Sequence, residues 1–435
     1  MHYVRTLFEE FVNSYDMKYS GFLCGAFSTK GSIVADECWK SVVVDESMCL
    51  KSSNYYYPEF VQFCYGANKN SIHRFVMDVK QTIKVSVDYG TEMRDVEIFV
   101  SDVTIYQAPF DLTLFAVRVD MSGSANDITA VVSRLRTMDG VAQSSADFSS
   151  VVLDPLMDIY RRYAILASEI EGQENAEAYC RLVEYGNKLK TFQIAVVESE
   201  PWEEESSDSL LFEMGTLSPI GSYNPDGDYS ASKSYVDQIF KDGKVSVFNN
   251  WKALSLFDTF TILGHHISEG NIANWIDNYF GMVYISELFV KFYLFRLNND
   301  FRIDNQRADW LLEQFEDFEY SCWFDNVSYN FLPRIIHRSM EQGLEVLSEK
   351  QRLYQMIAQQ KDSREKRSSQ RINNLLFYLT SFTIISMVYD AASLFNEMYP
   401  FETYLGSHIF GFRMVSYTLL VLMLLLLVVV RFKKR

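Results

Sequence analysis

The chain has 435 residues, 48% of them hydrophobic, with 40 Lys and Arg against 57 Asp and Glu for a formal charge of −17. That length and apolar share suffice for one large or two medium cores, and the acidic balance argues against direct DNA or RNA binding, because a phosphate backbone would be repelled. The charge is unevenly placed: residues 361–435 hold ten Lys/Arg and five Asp/Glu, net +5, which leaves 30 basic and 52 acidic residues, net −22, in residues 1–360. Such an acidic region is a solvated surface or a field that concentrates cations near a pore mouth.

From the N-terminus, Met1 to Tyr19 lacks an apolar core behind a basic start and does not read as a signal peptide. Six cysteines (Cys24, Cys38, Cys49, Cys64, Cys180, Cys322) are scattered without a C-x-x-C pair, so they fit free thiols in a reducing compartment better than zinc or a disulfide framework. Residues 1–200 are expected to form a cytosolic α/β domain. β-branched and aromatic alternation marks strands at Ser41–Val44, Ile83–Val87, Val96–Val103, Leu112–Val119 and Phe192–Val197. Helices are expected over Ile128–Met138 and, with interruptions, Leu156–Lys190. Residues 201–249, rich in Pro, Gly, Ser and acids, read as a loop or linker, and 250–332 as a cytosolic helical region whose first helix opens at Asn250-Trp251 and runs through Leu263. His265-His266 has no partner at ligand spacing and reads as a surface or core pair. Within that region Ala273–Leu297 should be a buried helix. Ala308–Cys322 should be a helix with an acidic face of Asp309, Glu313, Glu316, Asp317 and Glu319, solvated, loosely binding divalent cations or meeting the basic collar Lys361–Arg371.

Pro333 suits a first helical turn, and no proline follows until Pro400. The expectation is a stalk helix over 333–395, about 95 Å long if unbroken, which continues into a first membrane span at about 375–395. That span contains Thr380, Ser381, Thr383, Ser386, Asp390 and Ser393. At a 3.5-residue period Asn373, Leu376, Thr380, Thr383, Met387, Asp390 and Leu394 share one face. A polar face at membrane depth must meet protein or water, so the stripe is read as pore-lining in a homo-oligomer, with Asp390 as a ring of acids. The plainer reading keeps Asp390 at the interface and ties the threonine hydroxyls to the preceding turn. An external loop (396–409) leads to a second span at 410–430, where Val421–Val430 reads VLMLLLLVVV, long enough with its flanks for ~30 Å of hydrocarbon. A basic tail, 431–435, follows. Basic residues flank both spans on one side, which puts both termini in the cytoplasm of a multi-pass inner-membrane protein. No Walker A loop, G-x-G-x-x-G, H-E-x-x-H or G-x-S-x-G occurs, so no catalytic centre is argued and the chain does not read as an enzyme.

An acidic α+β domain, a long stalk helix entering the membrane, a short loop, a second span and a basic tail resemble the CorA family of two-span metal-ion transporters. Asn373 and Leu379-Thr380 match the start of that family's first span, and Arg431–Arg435 its tail. The fold class expected is therefore an α+β cytosolic domain followed by a stalk helix and a two-helix transmembrane hairpin. The resemblance implies a homo-oligomer, tetramer or pentamer, in a lipid bilayer. The family's Gly-Met-Asn mouth is replaced at the equivalent positions by Glu397-Met398-Tyr399, which puts magnesium selectivity in doubt. The layout also resembles the CorA-like proteins associated with type III CRISPR systems, which implies a small nucleotide ligand. Three functions are thus expected in turn: a ligand-gated channel or effector, a divalent cation transporter for magnesium, cobalt or nickel, and a non-conducting membrane-anchored binding protein. No residue in the sequence identifies the ligand-binding site.

Overall fold

The computed structural model describes residues 16–43, 46–90, 92–170, 172–173, 175–186, 188–198, 202–225, 227–228, 230–303 and 308–398. The chain divides into two units, Met1–Tyr354 and Gln355–Arg435.

The first unit is built on one nine-stranded sheet of order β2-β3-β4-β5-β1-β6-β9-β8-β7. Its strands are β1 (Asp16–Ser28), β2 (Lys40–Ser41), β3 (His73–Asp88), β4 (Met93–Ala108), β5 (Leu112–Ser124), β6 (Lys190–Val197), β7 (Lys244–Phe248), β8 (Trp251–Leu256) and β9 (Thr259–His265). All neighbours are antiparallel except β6 and β9, which are parallel. β1 is central, between β5 and β6, and from Tyr19 to Thr29 every residue is buried. That explains its composition: a strand covered on both faces needs apolar or small residues at every position, not alternating ones.

Alternate residues of the strands feed two cores. On one face Tyr19, Leu23, Phe27, Val85, Ile98, Val119 and Leu254 belong to a cluster with helices α2 (Ala125–Leu135), α3 (Asp154–Tyr163) and α4 (Glu204–Thr216); helix α1 (Pro58–Tyr65) belongs to the other face. There Phe22, Phe192 and Phe260 stand in one rank across β1, β6 and β9. Phe280 stacks on Phe22 at 3.6 Å, and Phe63 of α1 meets Phe289 at 5.7 Å. This second layer comprises the π-helical stretch Trp275–Tyr284, α6 (Ile285–Ile303), α7 (Ala308–Cys322) and α8 (Phe331–Gly343), while α5 (Lys233–Gly243) precedes β7. The sheet is thus the middle layer of three.

Ion pairs hold two corners. Asp258, in the β8–β9 turn, takes Arg136 at 2.7 Å and Lys190, the latter at very short range. Asp208 of α4 takes Lys252 at 2.6 Å and Lys244 at 2.5 Å. At the far edge β2 covers only Phe75 and Val76 of the 16-residue β3. Beyond that pairing β3 carries a register shift between Asp78 and Gln81, with Lys80 at φ 52°.

The fold is α+β, as expected, and a long helix follows it. Several finer expectations are corrected. Residues 201–249 are no linker: they hold α4, α5 and β7. Asn250-Trp251 opens strands β8 and β9 rather than a helix, so the 250–332 region is partly sheet and shares one unit with residues 16–200. The strand expected at Ser41–Val44 is the short bridge Lys40–Ser41, and the helix expected over Leu156–Lys190 ends at Tyr163 before shorter turns. The stalk is not one helix from Pro333. α8 stops at Gly343, Glu345 adopts φ 56°, and α9 starts anew and runs Val346–Met398. The break lies where α8 crosses β8: a Cβ on Gly343 would stand 2.7 Å from the backbone carbonyl carbon of Ser255. Of the expected membrane hairpin, only the first helix falls among the described residues, and it runs on through residues 396–398, which were expected in the external loop. The loop from residue 399, the second span at 410–430 and the tail 431–435 lie outside the described residues.

Candidate functional site

Among the described residues, one helix is long and apolar enough to cross a membrane, and it is α9. Its 53 residues contain no proline or glycine, so nothing in the chain interrupts the backbone ladder. From Asn373 to Leu394 the rise is about 32 Å at 1.5 Å per residue, the thickness of a hydrocarbon layer. Leu375, Leu379, Phe382, Met387 and Leu394 are each 58–72% exposed. Burying such side chains stabilises by about 1.5–3 kcal/mol each, so this surface calls for a cover that the other described residues do not supply.

The stripe Asn373, Leu376, Thr380, Thr383, Met387, Asp390 and Leu394 lies on α9, and all seven residues are exposed. In a straight helix a 3.5-residue repeat drifts by about 20° per heptad, so the seven form a slowly turning band. Two of its polar members look inward to the helix itself: Thr380 Oγ1 donates to Leu376 O at 2.7 Å and Thr383 Oγ1 to Leu379 O at 2.8 Å. Ser381 does the same to Phe377 O at 2.7 Å. These hydroxyls are satisfied without a pore, which leaves Asn373 and Asp390 as the groups whose polarity most needs water or a partner. Glu397 and Met398 end the helix, while Tyr399 lies outside the described residues.

A second feature lies in the first unit, on the sheet face that also carries the Phe22 rank. Register places Thr82, Phe99, Asp120, Ser20 and Ile194 side by side across β3, β4, β5, β1 and β6, with Lys18, Ser122 and Val196 in the adjacent rank. These residues floor a cleft of about 540 Å³, bounded also by Glu97, Arg118, Glu269 and Ile272. Its volume falls within the range of small-molecule sites, roughly 300–1,000 Å³. Asp120 is the hub. It accepts from Ser20 Oγ at 2.5 Å and Ser101 Oγ at 2.5 Å, and Arg118 Nε stands 3.3 Å away. Next to it Asp102 sits in the β4 bulge, where burial pushes its carboxyl up from the ordinary range against the opposing pull of a Thr104 hydrogen bond. Phe99, in the lining of the cleft, is 40% exposed. Two cations, Lys18 and Arg118, stand against three acids, Glu97, Asp120 and Glu269, a local balance of −1.

None of these cleft residues emerged from the sequence reading. A signal was present in β5: Arg118, Asp120 and Ser122 recur at every second position of an otherwise apolar strand, which marks a sheet face left open to water. On the acidic face of α7, the Glu319 carboxylate takes Lys350 at 2.8 Å and the Tyr354 hydroxyl at 2.6 Å. His265 and His266 belong to an aromatic stack, with the Trp202 ring 5.4 Å from that of His265. No protein family, curated protein or solved structure matches the chain.

Proposed function

We propose that the chain is a CorA-like membrane channel or effector, assembled from several copies in the inner membrane with both termini cytoplasmic, and that its sheet unit receives a small cytosolic ligand. The observation that carries this reading is α9: a helix of 53 residues whose apolar side chains stand uncovered over a length equal to a bilayer core. Two helices per chain enclose no conduit, so a pore on this plan needs several copies around it, with Asn373 and Asp390 turned toward water. The cleft supports a ligand-receiving role. Its near-balanced charge favours a base-bearing molecule of low net charge, stacked on Phe99 and held by Arg118 and Asp120, over a polyanion. A nucleotide messenger, the ligand class that the family resemblance implies, meets those terms only where it carries few phosphates or offsets them with a cationic group of its own.

Ion flux from liposomes tests the proposal, with the wild-type protein, Asp390→Ala and Arg118→Ala each measured with and without a panel of nucleotides. Flux that requires a nucleotide, is lost in Asp390→Ala and shifts to higher ligand concentration in Arg118→Ala supports it. Magnesium, cobalt or nickel uptake without any ligand makes the chain a transporter instead. No flux under any condition leaves a membrane-anchored binding protein.

A further inference from the structure

Away from the cleft, the second helical layer buries three metal-capable side chains at one point. Glu287 comes from the first turn of α6, and His337 and Glu341 from α8, where their i, i+4 spacing puts them on one face. Their ligand-capable atoms all lie within 4.8 Å of one another. His337 Nε2 is 2.9 Å from Glu287 Oε1, and His337 Nδ1 is 3.9 Å from Glu341 Oε2. The side chains are 7%, 2% and 12% exposed in the order Glu287, His337, Glu341. Beside them is a cavity of about 10 Å³ lined by Glu287, Glu341, Ser286 and Cys322, close to the space of one small sphere.

The charge arithmetic is what needs an explanation. Each buried carboxylate costs several kcal/mol to desolvate, and one imidazole neutralises at most one of two, so that without a further cation, burial and the neighbouring Glu287 push the Glu341 carboxyl up to about 7. Of the outer groups that act on the trio, Asp325 adds negative potential and Arg338 positive, so together they leave the excess in place. We propose that Glu287, His337 and Glu341 bind a first-row divalent cation of the zinc or manganese class, which pins α6 to α8. A donor set of one nitrogen and two carboxylates favours such ions over calcium or magnesium, which take oxygen alone. Metal bonds of about 2.0–2.2 Å draw the three donors together by roughly an ångström, a movement the adjoining cavity accommodates. The inference is independent of the channel reading: it concerns a joint within one chain.

The full chain, purified in detergent without chelator, is assayed for metal by mass spectrometry. It is then stripped and reloaded with zinc or manganese alone while thermal unfolding is followed. About one equivalent per chain is expected, with an unfolding midpoint raised by roughly 3–4 °C at a hundredfold excess over Kd. Glu341→Gln and His337→Gln should each abolish the rise while keeping the circular-dichroism spectrum. Should either variant fail to fold, cobalt loaded into the wild-type protein gives the d–d absorption of a mixed nitrogen–oxygen site. Absence of bound metal together with an unmoved wild-type midpoint overturns the proposal, as does a midpoint rise retained in both folded variants.

Discussion

Single residues show where local preference yields to packing. Gly343 is the last residue of α8, and alanine there would favour the helix by about 1 kcal/mol. The added methyl would meet the backbone of Ser255, which cannot rotate away as a side-chain end could. The clash should win: Gly343→Ala is expected to destabilise the protein by about 1–3 kcal/mol, read as a lower urea midpoint at unchanged slope. Asp258 is a different case, with Arg136 and Lys190 both less than 15% exposed on it. Asp258→Asn leaves two cations short of an anion and should cost roughly 2–4 kcal/mol in the same experiment. Asp102 should respond to pH. Burial raises its carboxyl pKa in the folded protein, so the folded state holds the proton more tightly than the unfolded one. The stabilisation this brings is full below the unfolded carboxylate pKa, about 3.9, and is lost as pH rises through the elevated folded value. Asp102→Asn keeps an acceptor for Thr104 and removes the charge, so urea titrations at a series of pH values should show a smaller loss of stability on going from acid to neutral pH than in the wild-type protein.

Elements differ in how legible they are, and the reason is burial. Helix α7 appears at the bounds its sequence suggests, Ala308–Cys322, because one wet and one dry side leave a helical period in the residues. Strands β3 and β4 were visible for the same reason at a period of two, although each runs well beyond its clearest stretch, whereas β5 and β6, buried on both faces over the stretches expected, were marked by β-branched and aromatic residues instead. β1, β8 and β9 are covered on both faces. With no polar face there is no alternation, and a short apolar run such as WKALSL or TFTILGH reads equally as helix. The cleft was hidden by the same physics, since it exists only where five strands of distant sequence align. The metal-capable trio was half visible: His337 and Glu341 are spaced for it, but Glu287 is 50 residues upstream of His337. For α9 the reading of a lipid- or copy-covered surface makes its own prediction. Leu379→Arg places a charge mid-helix at a cost of roughly 2.5–3.5 kcal/mol on insertion scales, and should lower the membrane-associated fraction in cell fractionation. Tyr354→Arg, in the first unit, should not.

On the scale of the whole molecule, one continuous sheet joins segments that the sequence divides into domain, linker and helical region. The unit extends to Tyr354, and the apolar window belongs to α9. A fragment ending at Tyr354 is therefore expected to remain in the supernatant after ultracentrifugation with a mixed helix–sheet circular-dichroism spectrum, while the full chain sediments with membranes. If the fragment aggregates, residues beyond 354 are needed to complete the fold.

The outer margin of β3 bears on how copies of the chain can meet. Proteins crowded on a membrane surface risk zipping together through bare strand margins into continuous cross-chain ribbons. Here an incoming strand would find its donors and acceptors thrown out of line between Asp78 and Gln81, beside the exposed ion pair of Lys80 with Asp78. Exchange of backbone bonds between neighbours is thereby discouraged at its most accessible point. In the proposed assembly of several copies, contacts would then fall to side chains, and the sheet of each copy would keep its own cleft open to solution.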